Sequence, residues 1–324
     1  MKIAFLFNCF CTRGTETNIW SYAYYNKLLL NNESIIICRK RFNNMTGADF
    51  TNDAKLRFTN EFDVYELEDD EIDAKLIELN IDVCKFICVG GNPLDFCPKS
   101  VPTISSCIFN ANYPIGTIHT ALSPYLANNN CISLPFMINI ASIEDTMRNE
   151  LDIPNDALVF GRYGGYEQFN IDMVKNVVIN VALKNPQIYF IFMNTKPFTN
   201  DIKNIKYLDN SVCNITKRKF INTCDAMLHA RLEGETFGLA CGEFAIAGKP
   251  IITCNSGDYA HLAILKDKAI IYDNADRLTM ILENFKKIKI DMSNNGYYEY
   301  LPEKVIKTFE EILYKAKEKF IKST

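Results

Sequence analysis

Glu233-Gly234-Glu235-Thr236-Phe237-Gly238-Leu239-Ala240-Cys241-Gly242-Glu243, closing in Gly248-Lys249-Pro250-Ile251-Ile252, is the stretch that decides the fold class. It follows a short apolar run at 226–229 that reads as a buried strand, and it leads into another at 250–253. Between them, Thr236-Phe237-Gly238 reads as a loop opening a helix over 238–247. Strand, loop, helix and strand make the repeating unit of a parallel sheet covered by helices. The N–H groups at such a helix start form an anion site, and the helix dipole favours a diphosphate there. Glu235 stands just before the helix and Glu243 on it, eight residues further on. That spacing is a little over two turns, so Glu243 is expected to face the same cleft about 10 Å deeper by helix rise. A carboxylate at each end of a phosphate-binding helix suits a ligand with hydroxyls flanking a diphosphate, such as a nucleotide sugar. The plainer alternative is a capped helix with two surface carboxylates.

The same alternation runs outward in both directions. Upstream, 157–161 reads as a strand, followed by a Gly-rich turn at Gly164-Gly165 and a helix over about 170–183. Strands follow at 188–193 and near 205–208, with a helix starting near Thr216; further on lie a strand at 269–272 and amphipathic helices over 276–287 and about 302–322. In the first half, a strand at 3–8 leads to a loop holding Arg13-Gly14-Thr15-Glu16 and a helix over 18–30. Continuous apolar runs at 34–38 and 83–89 fit strands buried on both faces, and the second ends in the loop signal Gly90-Gly91-Asn92-Pro93. Short strands are expected at 103–107, 117–122 and 132–135. The acidic helix at 69–79, with Asp69-Asp70-Glu71, reads as a solvated face. A connection at 139–154 carries an expected helix over 142–151, capped by Ser142 with Asp145 three residues on. The pattern predicts an α/β protein of two Rossmann-like domains facing each other across a cleft. The expected domains are 1–150 and 151–324, the last helix being free to pack back on the first.

Composition excludes several classes. The chain has 324 residues, 48% apolar and 23% charged, with a net charge of −4. No basic patch is present, which argues against a nucleic-acid partner. The apolar runs are far shorter than the roughly 18 residues of a membrane span. Met1–Asn8 reads as a first strand rather than a signal peptide, because no small-residue cleavage site follows it. The 12 cysteines include no Cys-x-x-Cys pair, and several sit in apolar runs, where a thiol acts as a small hydrophobe. A reducing cytoplasm with free thiols, in a bacterial or virus-infected cell, is the expected setting. No metal site is expected, since Cys9-x-Cys11 and Cys84-x-x-x-Cys88 do not have structural zinc spacing.

The Glu-x7-Glu pattern of Glu235 and Glu243, with Phe237-Gly238-Leu239 after the first Glu and Gly248-x-Pro250-Ile251-Ile252 after the second, resembles the donor motif of glycosyltransferase family 4 (group 1), whose fold is GT-B. The resemblance implies that Glu243 bonds the ribose hydroxyls and Glu235 contacts the transferred sugar. Thr236 and the N–H groups of Phe237, Gly238 and Leu239 would hold the sugar and phosphates. The family places an Arg after the first strand of its C-terminal domain, and Arg162 fits it. A guanidinium there would offset charge on the leaving diphosphate. The family's lysine about five residues later is absent: Glu167 and Gln168 stand there, and Arg231 is the candidate for the second cation. Arg13-Gly14-Thr15-Glu16 resembles the Gly-rich loop by which the family's N-terminal domain approaches donor and acceptor, Gly14 allowing close backbone contact.

The family's N-terminal histidine is not obvious. Ser106 stands near that position and His119 comes later, and the two remain open. His229, next to the donor motif, is a candidate catalytic residue beside Glu235 and Arg162, the alternative being a satisfied core imidazole. His261 has no context that raises it. The resemblance implies a retaining hexosyltransferase that uses a UDP-sugar, or second a GDP-sugar, without metal or other cofactor. The acceptor would be a glycan or another hydroxyl acceptor, protein-linked or lipid-linked. A nucleotide-sugar epimerase or hydrolase on the same scaffold is one alternative, and an inactive sugar-nucleotide- or glycan-binding relative is another.

Overall fold

A computed structural model describes residues 1–42, 50, 52–92, 94–127 and 131–323, so Pro93 of the expected loop lies outside the described residues. The chain divides into two compact units, Met1–Met137 with Glu299–Thr324, and Ile138–Tyr298. The division falls at 137/138 rather than near 150, and the terminal segment belongs to the first unit.

The first unit contains β1 (Lys2–Phe7), α1 (Gly14–Leu30), β2 (Glu33–Arg39), α2 (Asn52–Thr59), β3 (Asp63–Leu67), α3 (Asp69–Glu78), β4 (Val83–Cys88), β5 (Thr103–Cys107), β6 (Ile118–Ala121), α4 (Pro124–Ala127) and β7 (Ile132–Ser133). Its sheet runs β3-β2-β1-β4-β5-β6-β7, parallel throughout. The second unit contains β8 (Leu158–Tyr163), α5 (Asp172–Lys184), β9 (Ile188–Met193), β10 (Ile205–Leu208), α6 (Asn214–Thr223), β11 (Ala226–Leu228), β12 (Gly234–Glu235), α7 (Leu239–Ile246), β13 (Ile251–Cys254), β14 (Asp258–Tyr259), α8 (Ala260–Leu265), β15 (Ala269–Tyr272) and α9 (Ala275–Glu283). Its main sheet runs β10-β9-β8-β11-β13-β15, and β12 pairs separately with β14. Both orders are Rossmann-like, the progression reversing beside the first strand of each unit.

Strands such as β8 and β9 are buried along their whole length, which is why the sequence shows continuous apolar runs there rather than alternation. The terminal helix α10 (Pro302–Ser323) buries Val305, Ile306, Phe309, Ile312, Leu313 and Ala316 at helical spacing in the core of the first unit. Phe309 packs against Phe5 and Tyr22. Each large side chain so buried is worth roughly 1.5–3 kcal/mol over an exposed one, which fixes the helix to that core.

Three expectations are corrected. The loop expected at Arg13-Gly14-Thr15-Glu16 is the first turn of α1, with Arg13 as its N-cap and the Thr17 N–H on the Arg13 carbonyl at 3.2 Å. Glu16, Thr17 and Asn18 are buried on this turn, and that packing overrides the low helix propensity of Gly14. The helix expected over 142–151 is absent. The Asn222 amide donates to the carbonyls of Ile143 at 2.8 Å and Asp145 at 3.0 Å, and Thr223 Oγ1 accepts the Met147 N–H at 2.7 Å. Side chains of α6 thus take the backbone groups that a helix would have paired internally. Asp69 is not a solvated acid, for it receives a two-pronged bond from the buried Arg39, at 2.7 and 2.6 Å, and another from Arg41 at 2.9 Å.

Candidate active site

In the second unit the strand progression reverses between β8 and β11, and in such sheets ligands bind outside the carboxyl ends of the strands at that point. The sequence-selected residues gather there. Arg162 lies on β8 itself, one residue before its end, rather than in the turn that follows. It is buried, and its guanidinium donates to Thr195 Oγ1 at 2.6 Å, to the Asn194 carbonyl at 3.2 Å and to the Gly165 carbonyl at 2.9 Å. Arg162 therefore pins the Gly164-Gly165 turn to the end of β9, while its charge still acts on Cys241 in the first turn of α7. In place of the family's lysine, Gln168 accepts the Gly165 N–H at 3.3 Å and the exposed Glu167 pairs with Lys196 at 3.3 Å.

Helix α7 starts at Leu239, and its N-cap is Gly238, with φ 80° and ψ 59°, a left-handed conformation that glycine adopts at little cost. Gly238 has no side chain to cap the helix. The Gly242 N–H is the first to bond back, to the Gly238 carbonyl at 2.9 Å, so those of Leu239, Ala240 and Cys241 have no intrahelical acceptor. The turn is held from below: the Tyr297 hydroxyl donates to the Phe237 carbonyl at 2.8 Å. A Cβ on Gly238 would come within 2.9 Å of both the Tyr297 hydroxyl and His261 Cβ. Phe237 is buried, whereas Thr236 and Leu239 are partly exposed. Glu243 is buried on α7. Because the helix begins only at Leu239, about 6 Å of rise separates its start from Glu243, less than the spacing from Glu235 suggests.

Glu235 is not helical. It ends the short strand β12, paired parallel to β14. Two glycines permit that pairing. Gly234 has φ +67° and Gly257 φ +59°; a Cβ on Gly234 would meet the Asp258 carbonyl oxygen at 2.1 Å, and one on Gly257 the Glu233 carbonyl at 2.0 Å. The carboxylate is bonded at both oxygens. His229 Nε2 lies 3.2 Å from Oε1, and Arg231 Nη1 donates to Oε2 at 3.1 Å. Arg231 also lies 3.6 Å from Glu233, so its guanidinium is engaged by carboxylates. Burial works to raise the Glu235 carboxyl, but the His229 hydrogen bond and the charges of His229 and Arg231 outweigh it and bring it down to about 2. Its side chain keeps 21% of its exposure, so an ionised carboxylate is presented at the edge of the sheet.

The hydrogen bonds continue behind His229. Its Nδ1 lies 2.8 Å from Thr253 Oγ1 on β13, and the same hydroxyl lies 3.0 Å from His261 Nε2. The two imidazole rings are 4.8 Å apart. His261 is fully buried, and burial, together with the nearby His229 charge, lowers it to about 3. Sequence reasoning missed His261 and Thr253. Thr253 comes opposite His229 because β13 pairs with β11, Leu228 facing Ile252, and His261, in the first turn of α8, reaches the same hydroxyl; no local motif marks either residue.

The residues expected in the first unit stand differently. Gly14 is the first residue of α1. Ser106 is fully buried, 3.4 Å from Thr120 Oγ1. His119 has Nδ1 at 2.8 Å from Ser105 Oγ and Nε2 at 3.1 Å from the Ala111 carbonyl. All twelve cysteines are free thiols. Among the described residues, Cys9, Cys11 and Glu16 bring metal-ligand atoms within 4.8 Å of one another. Cys11 donates to Glu16 at 2.9 Å, and its hydrogen bond with Cys9 and burial push its thiol well up, which favours the protonated form. Among the described residues no helix is long and apolar enough to cross a membrane.

A scan against protein-family models finds no match, and a search of curated proteins finds none of significance. Solved structures match over nearly the whole chain. HepE from Anabaena, in complex with UDP and glucose, aligns with a TM-score of 0.70 at 12% identity, covering 97% of this chain and 99% of that one. A glycosyltransferase from Rickettsia africae aligns at 0.69 and 13%, covering 97% and 98%. UDP-GlcNAc 2-epimerase from Neisseria meningitidis, bound to UDP-GlcNAc, aligns at 0.60 and 12%, covering 96% and 100%. At such identities the likeness establishes the fold. This chain has the two Rossmann-like sheets of the GT-B fold.

Proposed function

We propose that this protein is a retaining glycosyltransferase that moves a sugar from a nucleotide-diphosphate sugar to a hydroxyl acceptor. One observation carries the reading. An ionised carboxylate, Glu235, stands three residues before Gly238, the N-cap of α7 that has no side chain to cap it, at the point where the sheet progression reverses. In this reading the first-turn N–H groups of α7 and the Phe237-Gly238-Leu239 backbone take the diphosphate, and Thr236 lines the same turn. Glu243 takes the ribose hydroxyls. Arg162 adds positive charge behind the helix start while positioning the Gly164-Gly165 turn.

Glu235 accepts hydroxyls of the transferred sugar. A carboxyl held near pH 2 by two donors is a poor general base at neutral pH, which favours orientation over proton abstraction. A front-face displacement fits this. The bond from the anomeric carbon to the phosphate oxygen breaks as the bond to the acceptor oxygen forms on the same face. The acceptor's proton passes to the leaving phosphate oxygen. His229 and Arg231 act through Glu235, keeping it ionised and aimed. The structural likeness to HepE, solved with UDP and glucose, makes a UDP-sugar the first donor to test and a GDP-sugar the second. A glycan is the first acceptor class to test, and metal independence is part of the proposal.

The likeness to UDP-GlcNAc 2-epimerase over 96% of this chain favours a second reading, in which the same site epimerises or hydrolyses its nucleotide sugar. A donor panel separates the two. Wild-type protein is incubated with UDP-, GDP-, ADP- and dTDP-sugars, with and without EDTA, and nucleotide release and sugar identity are followed. Nucleotide diphosphate released from one donor, insensitive to EDTA and at least about tenfold slower in Arg162→Ala, supports transfer. A changed sugar still attached to its nucleotide supports epimerisation. No release and no calorimetric binding of any donor would discard both.

A further inference from the structure

We propose that Thr253 and His261 are positioning residues for the reaction assigned above: they fix the ring of His229 so that its Nε2–H always faces Glu235. The inference rests on that reading of the site for its catalytic consequence, but its geometry stands apart from any donor.

The argument starts at the buried end. His261 Nδ1 has no hydrogen-bond partner among the described residues, while Nε2 lies 3.0 Å from Thr253 Oγ1. A buried acceptor without a donor is tolerated better than an orphaned N–H, so the hydrogen sits on Nε2 and points at Thr253. With that bond received, the Thr253 hydroxyl has one hydrogen to place. It faces His229 Nδ1 at 2.8 Å and the Cys254 carbonyl at 3.4 Å, and the shorter geometry is the better bond. His229 Nδ1 is then an acceptor, which leaves its ring hydrogen on Nε2, 3.2 Å from Glu235 Oε1. Should His229 gain a second proton, the Thr253 hydroxyl turns to the Cys254 carbonyl and accepts from both rings. In either state Nε2–H stays on Glu235. In histidine sites generally, the bond made by one ring nitrogen sets what the other can do. His261 also braces the left-handed turn at Gly238, where its Cβ leaves no room for a side chain. One imidazole thus supports both the carboxylate and the start of the anion-binding helix.

The test uses the full-length protein labelled with 15N in histidine. The chain has three histidines, so the spectrum of His119→Gln identifies the His119 ring by difference. In the wild type and in Thr253→Ser, at a pH high enough for the ring to be neutral, the two ring nitrogens of His229 are expected far apart, as in a single tautomer. In Thr253→Val they are expected to draw together as the tautomers mix. His261→Gln, which keeps an N–H donor, is expected to resemble the wild type, whereas His261→Leu is expected to resemble Thr253→Val. With the donor found in the panel, kcat of Thr253→Val is expected to fall about tenfold, the lower end of what losing an orienting partner costs a ligand-holding histidine. KM for the donor is expected to change little. An unaltered His229 spectrum in Thr253→Val and His261→Leu overturns the inference, as does a Thr253→Ser variant as damaged as Thr253→Val. The spectra decide the point even if no donor is turned over, so failure of the relay and failure of the glycosyltransferase reading are told apart.

Discussion

His119 in the first unit and His229 in the second both have each ring nitrogen hydrogen-bonded, and the two networks end in different places. That of His119 closes on the architecture: a serine hydroxyl on one side, the Ala111 carbonyl on the other. That of His229 runs from a buried histidine through a threonine to a carboxylate that keeps part of its surface in solvent. The buried charges of the two units show the same contrast. Lys85, on β4, is fully buried with Asn18 Oδ1 at 2.9 Å and the Tyr22 ring at 4.5 Å, and among the described residues it has no carboxylate partner. Burial accordingly pulls its amine down to about 7. Glu235 has a guanidinium and an imidazole beside it and stays ionised. A buried charge left to a neutral amide drifts toward neutrality, whereas one given partners is kept for use. The His119 network closes within its own unit, whereas those of His229 and Arg231 meet on the two carboxylate oxygens of Glu235.

Glu235→Gln is the hardest test of this contrast. It keeps the size of the side chain, removes its charge and leaves His229 and Arg231 facing an amide. Turnover of the donor is expected to fall about 10²- to 10³-fold, as when an oriented polar group is lost from a transition-state site. Turnover at the wild-type level would put Glu235 on the same footing as the self-contained groups of the first unit.

Lys85→Met probes the other side. The folded amine titrates near 7 and the unfolded one near 10.4. Between those values the unfolded chain binds more protons, so wild-type stability should rise with pH across the window through this group. The methionine variant lacks that contribution. It is expected to be the more stable chain near pH 7, and its advantage should shrink by about 2–3 kcal/mol toward pH 9, at roughly 1.4 kcal/mol per pH unit. Urea unfolding of both chains from pH 7 to 9 checks this, the cysteines affecting both alike. A constant difference across that range would mean that Lys85 is charged and satisfied.

Glu243→Gln sharpens the contrast within the second unit. If Glu243 takes ribose hydroxyls, loss of its charge should weaken donor binding about tenfold, the lower end for a hydrogen bond to a charged group. Calorimetry with the donor would show it, and kcat should change much less than in Glu235→Gln. Equal losses of kcat in the two variants would make both carboxylates part of the chemical step.

The sheets were legible in the sequence because their strands are buried on both faces, and continuous apolar runs such as Ile188–Met193 admit few other readings. The turn that opens α7 was legible too, since Phe237-Gly238-Leu239 carries the glycine that the αL cap requires. What could not be read depends on long-range contacts. Gly14 looked like a loop residue until Glu16, Thr17 and Asn18 proved to be buried on the same turn. The segment at 142–151 has a capping pattern, yet Asn222 and Thr223, nearly eighty residues away, take its backbone groups. His261 lies 32 residues from His229, and the two are joined through the Thr253 hydroxyl on the neighbouring strand β13. Arg231 was expected as a free cation for phosphate, a role its bonds to Glu233 and Glu235 compete with.

The smallest effect is expected from His119→Gln, and it closes the comparison from the side of the first unit. An amide at that position can still donate to the Ala111 carbonyl, and the Ser105 hydroxyl can find the amide oxygen, so the strand pair β5–β6 keeps most of its bonding. Burial already lowers the imidazole pKa there, so the neutral replacement alters little charge near neutral pH. Turnover is therefore expected to stay within about threefold of wild type, below 1 kcal/mol by the rate relation. His229→Gln, measured beside it, is expected to lose tenfold or more, since its network ends on Glu235. A His119 variant that loses as much as the His229 variant would mean that the bonds to Ser105 and Ala111 hold a ring the reaction needs. The distinction between a histidine closed on backbone and one ending on a carboxylate would then fail as a guide to function in this fold.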